Sequence, residues 1–293
     1  MVKGIDGILD MGILVIILLL IAFSLYAMWD SEQVRIAAAP SRFEVYKPTA
    51  VDTVSFEELR DINPEVFSWL VVYGTNIDYP VVQAKNNDKY VNTDVFGNYS
   101  LSGSIFLDAD NDRSYRDFNS ILYGHHMEKG VMFGDIGQFS KKDVFDAHKY
   151  GNLFFDGEDH GLEFFAFLHT TAYNRTLFTA GITDHEIQRL YLDMIVDEAL
   201  YTRDIGITTD DRLLLLTTCS SDSTNGRDIL VARITDTVYE DTFIYVEEPG
   251  AGLPYPFDEL YKHRACILTI LVLLIILALI ASVLSQRRMN RGR

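Results

Sequence analysis

The sequence predicts a mainly β domain, a closed or nearly closed barrel, held between two membrane-spanning helices. Three observations lead there. Two long uncharged apolar runs lie near the two ends of the chain. Between them recur short β-rich segments, each bounded by Gly, Asn or Asp. Charge is also unevenly placed: residues 30–262 carry 19 Lys+Arg against 40 Asp+Glu, whereas Arg287 to Arg293 hold four arginines and no acid.

Composition narrows the function classes. With 293 residues, 48% hydrophobic and 23% charged, the chain builds a sizeable core and is not a disordered polymer. A net charge of −17 excludes a nucleic-acid binder, which needs a basic face to neutralise phosphates. Two cysteines, Cys219 and Cys266, exclude a disulfide-stapled scaffold.

The first apolar run, Met11 to Trp29, has 19 residues, and the second, Ala265 to Leu284, has 20. At about 1.5 Å per residue each reaches roughly 30 Å, the thickness of a bilayer's hydrocarbon core. Tyr26 and Trp29 close the first run, and Tyr255 and Tyr261 precede the second, at the positions of interfacial aromatics. A cleaved signal peptide, with Ala37 to Ala39 as its small-residue site, is the competing reading of the first run; the length of the run and the distance of the alanines favour a span. Arg287, Arg288, Arg291 and Arg293 assign the tail to the cytoplasmic side, against a weaker pull from Lys262 and Arg264. The expected organisation is therefore a cytoplasmic N-terminus (1–10), a span (11–29), a linker (30–54), an extracellular domain (55–246), a juxtamembrane linker (247–264), a second span (265–284) and a basic cytoplasmic tail (285–293).

Within the outer domain, Ser55 with Glu58 forms a capping pattern for a short N-terminal helix. Strands are expected at 67–72, 79–82, 103–107, 120–123, 153–155 and 162–170. Thr183 with Glu186 forms a second capping box, opening a helix to about Leu200 whose Ile187, Leu190, Tyr191 and Met194 share one face. Two last strands follow, Arg212 to Cys219 and Asp228 to Thr235. Some eight short strands at this spacing, interrupted by one helix, suggest the barrel.

Cys219 ends the very apolar strand Leu213-Leu-Leu-Leu-Thr-Thr-Cys219 and is followed by the polar loop Ser220 to Gly226. A substrate reaches a thiol there readily; the competing reading is a buried structural cysteine. Cys266, inside the second run, is an apolar membrane residue. His125 and His126 follow Tyr123-Gly124 at a strand end, where glycine allows a sharp exit, whereas His148, His160, His169, His185 and His263 read as surface or half-buried residues. Arg227 opens the strand after the Cys219 loop; across an antiparallel pair it faces back toward Cys219, where a guanidinium holds developing negative charge. Asp108-Ala-Asp110-Asn-Asp112 begins like a calcium loop, but Arg113 stands where Gly is needed and Asn119 where Glu is needed, so it reads as an acidic turn. With no Walker loop, zinc spacing or dinucleotide fingerprint, no metal and no cofactor are expected.

The string Tyr123-Gly-His-His-Met127, then Thr217-Thr-Cys219 and Arg227, resembles the class B sortases. The likeness spans roughly Phe56 to Val238 and includes Ile62-Asn-Pro-Glu-Val66, Gly74-Thr-Asn-Ile-Asp-Tyr-Pro-Val-Val82, Gly103-Ser-Ile-Phe-Leu-Asp108 and Met132-Phe-Gly-Asp135. It implies an eight-stranded sortase-type barrel and thiol transpeptidation. Cys219 would be the nucleophile, His125 the general acid/base, since the family's histidine directly follows the Gly, and Arg227 the oxyanion group. The helix before the cysteine strand and Thr218 would line the substrate groove. The implied partners are sorting-signal-bearing surface proteins or pilins, and an amine from a pilin lysine or a peptidoglycan precursor. Two departures stand out. Leu215 replaces the first Thr of the family's Thr-Leu-x-Thr-Cys signature, and the C-terminal span is commoner in pilus-assembling sortases than in wall-anchoring ones. The Asp-Pro-aromatic lid of class C pilin polymerases is not evident ahead of Phe56. A cysteine protease is the rival enzyme, disfavoured by the order His, Cys, Arg and by the absence of a papain-like Cys signature. A non-catalytic membrane scaffold would be expected to lack at least one of His125, Cys219 and Arg227.

Overall fold

The computed structural model describes residues 2–49, 53–219 and 225–243. The second apolar run, 265–284, its flanking linker and the basic tail lie outside the described residues, as does most of the loop after Cys219. Two compact units divide the chain, one containing Met1–Ser31 and the other formed by Glu32–Ile244. Helix α1 (Val2–Ala38) begins in the first and ends in the second. Its stretch Met11–Ala38 is long and apolar enough to cross a membrane, and Ile13, Leu19, Phe23 and Met28 on it are exposed.

The second unit opens with α2 (Val54–Ile62), which buries Phe56 and Leu59. Phe56 meets Phe154 edge-on, with centroids 5.4 Å apart, and also touches Trp69. The helix begins two residues earlier than its capping pattern suggests. Thr53 is the N-cap, without a side-chain hydrogen bond, and Ser55 and Glu58 fall inside the helix.

Eight strands then close a barrel. They are β1 (Val66–Val72), β2 (Asp78–Val82), β3 (Ile105–Leu107), β4 (Asn119–Tyr123), β5 (Tyr150–Phe155), β6 (Glu158–Thr171), β8 (Arg212–Cys219) and β9 (Gly226–Thr235). The order β5-β1-β2-β3-β4-β8-β9-β6 returns to β5 through the β5–β6 ladder, and a two-residue strand β7 (Tyr201–Thr202) adds to β6. Closure leaves the long apolar strands without an open edge. The β5–β6 hairpin turns on Asp156-Gly157, both at positive φ (52° and 86°), as a two-residue primed turn demands. Two pairings are parallel, β2–β3 and β4–β8. All eight expected strands are present, several of them longer than the sequence suggested. Helix α3 (Lys142–Ala147) and β7 were not anticipated, both being too short to show a period.

Strand β8 is apolar at consecutive positions because both its faces are covered. Leu214 and Leu216 join the main core with Trp69, Phe133 and Leu230, whereas Leu213 and Leu215 pack with Tyr191 and Ile195 of α4 (His185–Glu198). That helix is capped by Asp184, whose carboxylate accepts from the Ile187 backbone N–H; Thr183 is not the cap. Its buried line is Gln188, Tyr191, Leu192 and Ile195, spaced i, i+3, i+4 and i+7. Ile187 and Leu190, expected on the inner face, are 52% and 58% exposed. The inner face is rotated by one residue because Gln188 is buried, its amide donating to the Ile182 carbonyl at 2.8 Å.

Candidate active site

Register alone brings the three sequence-selected residues together. The β4–β8 ladder runs parallel and ends at the pair Tyr123↔Thr217; Gly124 N–H then donates to the Thr217 carbonyl at 3.2 Å. Two residues beyond that pair, one strand reaches His125 and the other Cys219. On the other side of β8, Cys219 is paired with Arg227 in the antiparallel β8–β9 ladder. Histidine, cysteine and arginine thus meet at one end of three adjacent strands.

His125 is held on two sides. Its backbone carbonyl accepts from Phe133 N–H at 3.0 Å, and its Nε2 lies 2.8 Å from the carbonyl of Val91, in the short 3-10 turn Lys89–Val91. A carbonyl only accepts, so Nε2 carries the hydrogen of this contact. The glycine before it serves a different purpose from the one expected. Gly124 has no positive φ; a Cβ there would stand 2.7 Å from the Phe133 ring. Close packing, and not a sharp turn, requires glycine at this point.

Arg227 is half-buried, donates to the Gly226 carbonyl at 2.9 Å and makes no ion pair among the described residues. Among the described residues no carboxylate takes up its charge. Thr218 pairs with Asp228 and is 2% exposed, on the face of β8 that also carries Leu214 and Leu216. The expectation that it lines the groove meets a buried side chain, facing the core and not the face of Thr217.

The sortase domain family model matches residues 70–235, more than half of the chain. Sortase B of Staphylococcus aureus is 32% identical over 183 residues, covering 61% of this chain and 74% of that protein. The chain belongs to the class B sortases. The fold agrees. Sortase B from the type II pilus of Streptococcus pneumoniae aligns with a TM-score of 0.55 at 47% identity, covering 62% of this chain and 99% of that one. A Streptococcus pyogenes class B sortase involved in pilus biogenesis aligns with a TM-score of 0.57 at 38% identity, over 62% of this chain and 98% of that one. Membership makes the chain a cysteine transpeptidase of the cell envelope.

Around this sortase site lie residues that motif reading passed over. Tyr123 donates its hydroxyl to Asp108 Oδ2 at 2.9 Å, and Asn87 Nδ2 donates to the same oxygen at 2.9 Å. Burial, with the Asp108 charge beside it, pushes the Tyr123 phenol well above its ordinary range, so it stays a neutral donor. The acidic turn is thus a buried support: Asp108 oxygens receive Tyr123, Asn87 and the Asp110 N–H. Sequence signalled this only faintly, as an acid placed directly after the apolar strand β3. His169 Nδ1 and Asp228 Oδ1 form a 2.8 Å hydrogen bond that sequence did not suggest, because the two lie 59 residues apart.

Proposed function

We propose that this class B sortase cleaves an LPxTG-like sorting signal after Thr and transfers the acyl group to an amine, with Cys219 as nucleophile, His125 as general acid/base and Arg227 as oxyanion partner. The observation that carries the assignment is the register: the Cys219↔Arg227 pair, beside the turn that follows Tyr123↔Thr217. In the first half-reaction the Cys219 thiolate attacks the Thr carbonyl and the C–N bond to Gly breaks. His125 gives the departing amine its proton, leaving a thioester. In the second, His125 takes a proton from the incoming amine, which attacks the thioester and releases the thiolate. Arg227 holds the negative oxygen of both tetrahedral intermediates. Thr218 acts from beneath, as part of the rung that carries Asp228, and α4 borders the signal groove.

The acceptor we favour is a pilin lysine. Two of the similar structures are pilus sortases by description, and two apolar runs flank the domain. We place the barrel outside the plasma membrane, anchored by 11–29 and 265–284, with the arginine-rich tail inside. The full chain in detergent, incubated with Leu-Pro-x-Thr-Gly-like peptides and either a lysine or a glycine peptide, tests the reaction by mass spectrometry. Lysine joined to Thr supports pilus assembly, glycine joined to Thr redirects the assignment to peptidoglycan anchoring, and free acid alone returns the protease reading. A reporter fused after Arg293 is expected to be active only in the cytoplasm; external activity overturns the two-span topology.

A further inference from the structure

Beneath the three active-site positions lies a second polar cluster whose members are their immediate chain neighbours. Asp228 follows Arg227 and pairs with Thr218, which precedes Cys219; His126 follows His125. Asp228 is 5% exposed, and its Oδ1 accepts from His169 Nδ1 at 2.8 Å. Its other oxygen, Oδ2, faces Gly137, in the turn Ile136–Ser140. A Cβ at Gly137 would stand 3.3 Å from that oxygen and 3.7 Å from Cε1 of His126. The carboxylate and the second imidazole therefore border the same small space. His126 Nδ1 is buried and has no partner among the described residues. A half-turn of the ring about Cβ–Cγ carries Nε2 to the place of Cε1, on the Gly137 side that Asp228 Oδ2 also borders, and moves Nδ1 away from a position where it has no partner among the described residues.

We propose that Asp228 is a positioning residue for transpeptidation, binding His169 through one oxygen and His126 through the other, and so fixing the turn that carries His125 against the β8–β9 pair that carries Cys219 and Arg227. A buried carboxylate needs such partners. Held by one imidazole alone, the carboxylate would be tied to β6 but not to the His125–His126 turn. The link runs from the sheet to the His125–His126 turn, which is also tied by the His126–Met132 bridge, backbone contacts to Phe133 and Thr217, and the Val91 carbonyl. Asp228 touches no reacting atom. Its contribution is to hold the imidazole at the distance from the thiol that proton transfer requires.

The proposal rests on the assignment of His125, Cys219 and Arg227, and the test separates the two. The full chain in detergent is assayed for kcat and KM of peptide cleavage with Asp228→Ala, His126→Gln, their double variant, and Gly137→Ala, with His125→Ala as control. Asp228→Ala and His126→Gln are each expected to lower kcat about tenfold through misplacement of the imidazole, with KM changed less than twofold. The double variant is expected to fall no further than the worse single one, because both remove one contact. Gly137→Ala, which deletes no polar group and needs no positive φ, is expected to lower kcat in the wild-type background and to have no effect beside Asp228→Ala. Additive losses, a fall in KM-limited rate alone, or full kcat in a folded Asp228→Ala protein overturn the proposal. Full activity in His125→Ala overturns the site assignment instead, whatever Asp228 does.

Discussion

His125 hangs from the backbone carbonyl of Val91, 2.8 Å from its Nε2, so one imidazole nitrogen is committed to the fold. The support is itself supported. Val91 ends a 3-10 turn whose Lys89 and Tyr90 both donate to Glu65 Oε2, at 2.6 and 2.5 Å, on the segment leading into β1. His125 is thus placed by a turn that is itself pinned to the segment before β1.

Exchange of the two adjacent histidines separates a reacting group from a supporting one. His125→Ala is expected to lose at least about a hundredfold in peptide cleavage, the usual contribution of a general acid/base. His126→Ala retains far more. Steady-state kinetics on both variants decide the matter, and the reverse order would transfer the acid/base role to His126.

Glu65 gives the fold an acid-sensitive tie. Partial burial raises its pKa, but hydrogen bonds from Lys89 and Tyr90 and the nearby charges of Lys89 and Arg113 outweigh this and hold the carboxyl below its ordinary 4.5. A depressed folded-state pKa contributes stability that is present above the unfolded value and is lost as pH falls through the folded one. Thermal midpoints of the wild type and Glu65→Gln are therefore expected to differ above pH 4.5 and to converge at lower pH. Parallel curves across that range would remove Glu65 from the acid response.

Arg227 is expected to be needed as a guanidinium and not merely as a charge. Arg227→Ala should cost kcat on the order of a hundredfold, as removal of an oxyanion partner does. Arg227→Lys should recover only part of it, because an ammonium lacks the planar fork. Equal activity of the Lys variant and the wild type would reduce the role to a point charge.

At Gly124, Ala should lower stability by about 1–3 kcal/mol, since the new methyl meets the Phe133 ring at 2.7 Å. Adding Phe133→Leu in the same chain is expected to return part of the loss. Urea midpoints of the single and double variants measure it. A Gly124→Ala protein as stable as the wild type would show that the ring yields freely.

Most of the barrel was legible because its strands carry strong local signals. Arg212–Cys219 emerged with its observed boundaries, since four leucines and two threonines in sequence leave little choice. Ends defined by pairing were less visible: β6 runs to Thr171 because β9 continues beside it, which no local pattern announces. The inner face of α4 was misjudged because Gln188, a polar residue, is buried through its hydrogen bond to Ile182. Family motifs singled out His125, Cys219 and Arg227. They said nothing of Asp108, Asp228 or the Val91 carbonyl, whose importance arises from partners brought close only by the tertiary structure.

The parallel pairing of β4 with β8 has a consequence for when the enzyme comes alive. A parallel neighbour cannot be reached by a hairpin, and here the two strands are joined through β5, β6, α4 and β7. Histidine and cysteine therefore remain strangers until nearly the whole domain has been made and its barrel shut, the kind of long-range pairing that forms slowly. A half-folded chain would keep its thiol and its imidazole apart. Assembly of the site would arrive as the last act of folding.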